Sequence, residues 1–238
     1  MRSDSSLERE WRMLTPNLDI LPHAQRKLWG ELRETPRSFV LYGGTALALR
    51  LGHRHSEDFD FFCNRPFQPS TLLDTIVYLK NAEISQLEEN TLTVIVDRGG
   101  PVKVSFFGGL NLNRVQDPDI VEDNGIQVAS MLDVVATKLK TVQQRAQARD
   151  YMDIAAALNA GLDLVEALAA ADMIYGKGFN GALSLKALTF FEDGDLPSLT
   201  PETRNRLREV TTSVDLRRLP HVMAKVGITK EEGGYERY

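Results

Sequence analysis

Apolar positions along the first 130 residues fall in short runs, which predict β-strands separated by helices. Residues 38–42 and 58–62 are expected to form buried strands, and acidic and aromatic side chains alternate along the second. Residues 92–96 and 102–107 are expected to pair as a hairpin, because the segment between them, DRGGP, is rich in turn residues. The pattern therefore predicts a sheet in this part of the chain.

Apolar residues at spacings of three and four predict helices in the remaining segments. Residues 5–34 are expected to be helical with a break near Pro16, and residues 70–81 to form another helix. From Ser130 onward the pattern is helical throughout, and Ser130 with Asp133 resembles a capping box. Further helices are expected at residues 149–159, 163–175, 183–191 and 200–219.

This order of elements predicts an α+β fold, with a small mixed sheet flanked by helices and followed by a helical C-terminal domain. We expect residues 1–37 to form N-terminal helices that pack on the core, residues 38–128 to contain the sheet, and residues 129–238 to form the helical domain. The helical domain is expected to close one side of a cleft.

The composition narrows the class of protein. With 238 residues, 42% hydrophobic content and one cysteine, the chain is typical of a soluble cytoplasmic protein. Its four histidines do not form a metal-site pattern. No apolar run approaches the roughly 20 residues of a membrane span, so we expect no membrane association. The net charge of −5 argues against a generally basic nucleic-acid-binding surface, although basic residues cluster at 50–55 and 138–149.

A glycine pair marks the junction between the first predicted strand and the helix that follows. Gly43, Gly44 and Thr45 would place backbone N–H groups and a hydroxyl at a helix N-terminus, where phosphate binds readily. The same residues also suit a plain strand-to-helix turn with a threonine cap. The segment is not a P-loop, because the pattern GxxxxGK[ST] is absent.

Asp58 and Asp60 should lie on one face of the second strand, since side chains in a strand alternate. Such pairs are common on solvated strands, but the neighbouring phenylalanines favour a buried strand, where paired carboxylates destabilise unless they bind a cation. A hard cation fits such a pair. Between the two motifs, Arg54 can pair with a triphosphate and Ser56 can steady a carboxylate; alternatively they are a surface charge and a turn residue.

Charged residues recur on the predicted helices after Ser130. Lys138 and Arg145 lie on one stripe, and Asp150 and Asp153 are three residues apart on the next helix. Charges at these spacings usually form solvated pairs within a helix. Alternatively, the lysine points into the cleft and neutralises substrate phosphate, while an aspartate orients that lysine or acts as a base.

Together these motifs resemble a known family. Residues 42–47 (YGGTAL) followed by residues 54–60 (RHSEDFD) are similar to the first motif of the AbiEii/AbiGii-type nucleotidyltransferase toxins, within the DNA polymerase β-like superfamily. Residues 138–153 resemble the later motifs. The resemblance implies a magnesium-dependent nucleotidyltransferase that uses a nucleoside triphosphate and a nucleic-acid acceptor such as tRNA, or a protein hydroxyl. It also implies a toxin paired with an antitoxin protein in a type IV or abortive-infection system.

The resemblance and the motifs together define the expected site. In the resemblance, Gly44 and Thr45 contact phosphate, and Asp150 or Asp153 assists the acceptor. The expected metal ligands are Asp58 and Asp60. The expected catalytic residues are Asp58, Asp60, Lys138, Asp150 and Asp153. The expected nucleotide-binding residues are Gly43, Gly44, Thr45, Arg54, Ser56 and Arg145.

One position departs from the superfamily pattern, which places a third carboxylate on a later strand. Ser105 stands there in this chain. A second metal is then held by substrate and water, or Asp150 or Asp153 replaces the missing ligand, or activity is impaired. Two other functions therefore stay open: a degenerate module that binds a nucleotide or a partner without turnover, and a kinase-like phosphoryl transferase.

Overall fold

The structure is a computed structural model and describes residues 12–229. Within this range, eight strands form one mixed sheet and eight α-helices surround it. The strands are β1 (Met13–Leu14), β2 (Val40–Tyr42), β3 (Asp58–Phe62), β4 (Glu83–Glu88), β5 (Thr91–Asp97), β6 (Pro101–Phe107), β7 (Asp119–Val121) and β8 (Gln127–Val128). The helices are α1 (His23–Trp29), α2 (Gly43–Leu51), α3 (Pro69–Thr75), α4 (Met131–Thr141), α5 (Ala148–Asn159), α6 (Leu164–Tyr175), α7 (Gly181–Ala187) and α8 (Pro201–Thr212). No helix in residues 12–229 is long and apolar enough to cross a membrane.

The sheet places β3 at its centre. The strand order is β1-β7-β8-β2-β3-β6-β5-β4. β3 runs antiparallel to β2 and parallel to β6, and β5 and β6 form the predicted antiparallel hairpin. The residues that alternate along β3 are therefore held from both sides by paired neighbours.

The two faces of β3 have opposite character. Phe59 and Phe61 are fully buried, and Phe61 stacks on Phe106 of β6 with ring centroids 5.5 Å apart. Trp29 of α1 packs against Phe59 at 6.1 Å. Burial of these aromatic rings anchors the strand in the core and turns the alternate side chains, the two aspartates, to the other face.

Helices α4 and α5 pack against α2, which follows the glycine pair. The start of α4 is fixed as predicted, because Ser130 Oγ accepts from the Asp133 backbone N–H at 3.0 Å. The Asp133 carboxylate accepts from Val115 N at 2.7 Å and Gln116 N at 3.0 Å. The cap therefore also ties α4 to the loop before β7.

Residues 223–229, called the C-terminal segment below, return to the sheet. Arg114 Nη1 donates to the carbonyls of Val226 and Gly227, each at 2.9 Å. Asn64, just after β3, accepts from Ile228 N at 2.7 Å. These contacts join the predicted sheet region, residues 38–128, to the predicted helical domain, residues 129–238. The predicted domain boundaries stay a prediction.

The α+β prediction is confirmed, but the sheet is wider than the small sheet expected. Strands β7 and β8 are too short to show a period in the sequence, and every residue of β4 is exposed, so no buried run marks it. Met13–Leu14 lies in a segment predicted to be helical and instead pairs with β7. Long-range pairing outweighs local helical preference there. Residues 1–11, also predicted helical in part, lie outside the described residues.

Several helix ends differ from the prediction. The helix expected over residues 70–81 ends at Thr75, because Ile76 adopts an extended backbone (φ −88°, ψ 117°) and is buried. The helix expected over residues 200–219 ends at Thr212, and the one expected over 183–191 is Gly181–Ala187, capped by Asn180. These differences lie at helix boundaries, away from the glycine pair and the two aspartates.

Candidate active site

The glycine pair allows a close approach of three segments. Gly43 has φ +74°, which a glycine adopts without strain. A Cβ on Gly43 would lie 3.3 Å from Asp60 Oδ2. A Cβ on Gly44 would overlap the Arg54 guanidinium and lie 3.0 Å from Asp153 Oδ2. Because Gly43 and Gly44 have no side chains, the N-terminus of α2 lies next to the Asp60 carboxylate and the Arg54 guanidinium.

Thr45 and Ser56 join α2 to the start of β3. Both are buried, and their hydroxyl oxygens lie 2.7 Å apart. Thr45 Oγ1 also donates to the Asp58 carbonyl at 2.6 Å. Their hydroxyls are therefore engaged within the protein, and the phosphate contact predicted for Thr45 stays a prediction.

Asp58 and Asp60 share one face with two residues of β6. The strand register sets Asp58 opposite Lys103 and Asp60 opposite Ser105. Lys103 Nζ lies 3.8 Å from Asp58 Oδ2. Burial raises the pKa of Asp60 to about 6, and the Asp58 charge adds to this, against the opposing effects of Lys103, Ser105 and Arg149. The pair concentrates negative charge where a proton or a cation would relieve it.

These carboxylates fit a hard divalent cation. The Asp58 side chain is 26% exposed, so a solvated ion can reach it. The Ser105 hydroxyl beside Asp60 is buried. None of the described residues stands in hydrogen-bonding geometry to it. Within residues 12–229, no group of three or more His, Cys, Asp or Glu side chains is arranged to hold a metal. The protein supplies two carboxylates, and a bound ion would take further oxygen ligands from substrate or water.

Asp153 lies at the centre of a buried network of charges. It is fully buried, and its Oδ1 accepts from His53 Nε2 at 2.7 Å and from Arg54 Nε at 2.7 Å. Its Oδ2 accepts from Arg54 Nη2 at 3.0 Å and lies 2.7 Å from Lys138 Nζ. Burial alone would raise the pKa of Asp153, but the hydrogen bonds of His53 and Arg54 and the Lys138 charge hold it far below the ordinary value. Asp153 is therefore ionised and holds two cations.

Asp150 extends this network toward solvent. Its Oδ1 lies 2.8 Å from Lys138 Nζ and its Oδ2 accepts from Arg145 Nε at 2.9 Å. Burial opposes ionisation, yet the charges and hydrogen bonds of Lys138 and Arg145 lower its pKa. The alternative of solvated pairs within one helix is wrong for Lys138, Asp150 and Asp153, which are buried and pair between segments.

Three residues near the site were not among the predicted site residues. His53 belongs to the basic cluster 50–55, but the cluster alone did not single it out. Lys103 could have been found, because it precedes Ser105 by two positions on the same strand and so faces the same side. Arg149 pairs with Glu57, and its charge also acts on Asp60. By contrast Arg50, in the same basic cluster, pairs with Asp119 of β7.

The structure therefore brings most of the expected residues together around the glycine pair. The acidic group of Asp58 and Asp60 lies on one side, and the Arg54 and Lys138 cations held by Asp153 lie on the other. Such an arrangement can hold a polyanion on its cationic side and a metal on its acidic side.

A family model and a curated relative match the sequence of this chain. A sequence model of a family described as "Nucleotidyl transferase AbiEii toxin, Type IV TA system" matches residues 28–225. An uncharacterized protein of Aquifex aeolicus (strain VF5) is 31% identical over 158 residues, which cover 65% of this chain and 74% of the relative.

Two solved structures share the fold. MenT4, a nucleotidyltransferase toxin from Mycobacterium tuberculosis H37Rv, superposes with a TM-score of 0.56 at 16% identity, covering 80% of this chain and 82% of that one. A structure from H. pylori, named there as a proposed nucleotidyltransferase, gives a TM-score of 0.50 at 20% identity, covering 79% of this chain and 89% of that one.

Proposed function

Because the chain belongs to the AbiEii family of nucleotidyltransferase toxins, we propose that it moves a nucleotide from a nucleoside triphosphate to a hydroxyl of a nucleic acid, with tRNA the first acceptor to test. The reaction is magnesium-dependent in this proposal. The protein acts in the cytoplasm as the toxin of a type IV toxin–antitoxin system, held in check by an antitoxin protein.

One observation carries the proposal. The glycine pair separates a carboxylate pair, Asp58 and Asp60, from two cations, Arg54 and Lys138, that a buried carboxylate holds in place. Nucleotidyl transfer needs both halves, because a triphosphate must be bound and its leaving pyrophosphate stabilised. A domain that only binds a partner protein has no need of two carboxylates beside a helix N-terminus.

The acidic half holds the metal in this proposal. Asp58 and Asp60 provide oxygen ligands, which Mg²⁺ prefers. An ion held there by Asp58 and Asp60 would supply activation of the attacking hydroxyl and stabilisation of the leaving pyrophosphate. The raised pKa of Asp60 fits this role, because the site disfavours its free ionised form until a positive charge arrives.

The cationic half binds the triphosphate. Backbone N–H groups at Gly43 and Gly44 begin α2, Arg54 lies against Gly44, and Lys138 pairs with the Asp153 carboxylate that also lies beside Gly44. Arg145 lies further out, with 48% of its side chain exposed, and can meet substrate at the rim. Thr45 and Ser56 contribute by fixing α2 against β3, since their hydroxyls already pair.

Asp150 and Asp153 position cations in this proposal. Both carboxylates have lowered pKa values and accept hydrogen bonds on each oxygen. A group with so low a pKa takes up a proton poorly at neutral pH, so neither suits a general base. Of the roles considered for them from the sequence, orienting Lys138 is the one we propose.

A nucleic-acid acceptor fits the rim of the site. Lys103 and Arg149 join Arg145 there, and each has 40–50% of its side chain exposed. These three cations lie beside the carboxylate pair and the phosphate-binding cations, on a chain whose net charge is −5. Local positive charge of this kind attracts a phosphate backbone without a generally basic surface.

The test is transfer of label from each α-³²P nucleoside triphosphate to total tRNA, with magnesium and with EDTA. Asp58→Asn should abolish transfer, while Glu89→Gln, which removes an exposed carboxylate, should retain it. Mass spectrometry of the product distinguishes nucleotide addition from phosphorylation. Full transfer by Asp58→Asn would contradict the metal assignment, and metal-independent binding of triphosphate without product would favour a degenerate module.

A further inference from the structure

We propose that His53 is a positioning residue of the triphosphate-binding half of the site. It fixes the Asp153 carboxylate, and through that carboxylate it sets the positions of Arg54 and Lys138. The inference rests on the proposed function only for its effect on nucleotide binding, because its effect on Arg54 can be observed without substrate.

The loop after α2 delivers His53 and Arg54 to the same carboxylate. Gly52 ends α2 with φ +64°, and its N–H donates to Ala48 O at 2.8 Å. At the far end of the loop, Ser56 N donates to Ile20 O at 2.9 Å. Both ends of the loop are therefore fixed, and two consecutive side chains between them reach Asp153.

The hydrogen bonds of Asp153 divide between its two oxygens. Oδ1 accepts from His53 and Arg54, while Oδ2 meets Arg54 and Lys138. Without the imidazole, Oδ1 keeps only the Arg54 Nε–H. The carboxylate can then rotate toward its cations, and the guanidinium and the ammonium shift with it. His53 is thus the donor that prevents this rotation.

The other ring nitrogen of His53 supports a dedicated role. The side chain is 13% exposed, and Nδ1 is buried with no hydrogen-bond partner among residues 12–229. A buried unpaired nitrogen is unfavourable, so packing alone gives no reason for a histidine here. Because Asp153 is ionised, its oxygens can only accept hydrogen bonds. The His53 Nε2–H group is therefore the donor of the hydrogen bond to Oδ1. The contact with Asp153 explains the residue.

Three variants separate positioning from packing. His53→Leu removes the donor, whereas His53→Gln keeps an N–H at a similar reach. His55→Leu is the matched control, since His55 is exposed and lies 3.3 Å from Ile20 O instead of contacting Asp153. His53→Asn, with a shorter side chain, replaces His53→Leu if that protein fails to fold.

The first measurement is the ¹⁵N–¹H NMR signal of the Arg54 Nε–H in the full chain without nucleotide. We expect a sharp, exchange-protected signal in the wild type, His53→Gln and His55→Leu, and a shifted, broadened signal in His53→Leu. An unchanged Arg54 signal in His53→Leu would overturn the inference. So would a His53→Gln signal as perturbed as that of His53→Leu.

The second measurement is calorimetric titration with each nucleoside triphosphate and magnesium. His53→Leu should weaken binding about tenfold, in line with the loss of one charge-assisted hydrogen bond, and His53→Gln should stay within about twofold of the wild type. If the wild type binds triphosphate and His53→Leu binds it with the same affinity, the inference is overturned. If the wild type binds no triphosphate, the proposed function fails, and the Arg54 signal still decides whether His53 positions the guanidinium.

Discussion

Replacing Asp60 by asparagine should make the metal-free protein more stable at neutral pH while removing transfer activity. The pKa of Asp60 is raised from 3.8 to about 6, because burial and the Asp58 charge outweigh the opposing effects of Lys103, Ser105 and Arg149. Each pKa unit corresponds to about 1.4 kcal/mol, so the ionised form costs the native state about 3 kcal/mol. Partial exposure of Asp60 to solvent reduces this to about 1–3 kcal/mol.

The pH dependence follows from the direction of the shift. The native state holds the Asp60 proton more tightly than the unfolded chain does, so wild-type stability is lost as pH rises from about 4 to about 6. Asparagine has no charge to desolvate and shows no such loss. The stability difference between Asp60→Asn and the wild type should therefore be smallest below about pH 4, grow through about pH 6, and then stay constant.

Urea unfolding followed by fluorescence of the two tryptophans measures this difference across the pH range in EDTA. The melting temperature at pH 7.5 should rise by about 2–10 °C in Asp60→Asn. Glu89→Gln should show no comparable gain. A variant less stable than the wild type at pH 7.5, or a difference that does not change with pH, would refute the reasoning. Magnesium should raise the melting temperature of the wild type and leave that of Asp60→Asn unchanged.

Three other substitutions test the network and the fold. Gly44→Ala places a Cβ within the Arg54 guanidinium and should weaken triphosphate binding at least tenfold by calorimetry, whereas Gly30→Ala, with nothing within 4 Å, should bind as the wild type does. Asp153→Asn leaves buried cations without their counter-charge and should lower the free energy of unfolding by about 3–5 kcal/mol at pH 7. The pKa of Asp153 is lowered, so the wild type should lose this contribution as pH falls below about 4 in urea titrations, and Asp153→Asn should not. Asn64→Ala removes three hydrogen bonds of 2.7 Å, two to loop carbonyls and one from the C-terminal segment, and should speed proteolysis of that segment with a stability loss of about 2–4 kcal/mol.

Local patterns predicted the parts of the site that depend on one strand or one turn. The alternation along β3 correctly separated Asp58 and Asp60 from Phe59 and Phe61. Ser105, which the resemblance puts at the position of a third carboxylate, lies opposite Asp60 in the register. Such features follow from backbone geometry over a few residues, which the sequence carries directly.

The charge network could not be predicted with the same sharpness, because its members lie far apart in the chain. Arg54 and Asp153 are 99 positions apart, and their pairing depends on how α5 packs against α2. Sequence spacing offered solvated pairs within a helix, or an aspartate that orients Lys138, and neither alternative included Arg54 or His53 as a partner of Asp153. The β1 strand was missed for a related reason, since two residues acquire strand character only through their partner β7.

The contacts of the C-terminal segment determine when, during synthesis, the fold around Arg114 and Asn64 is completed. Arg114 and Val226 are 112 positions apart, so at 5–20 residues per second a ribosome needs roughly 6–22 s to make the second after the first. Throughout that interval the loop at Arg114 and the end of β3 at Asn64 lack their last hydrogen bonds. The hydrogen bonds that fix the Arg114 loop and the end of β3 therefore form only after residues 226–228 have been made, long after the last strand of the sheet has left the ribosome.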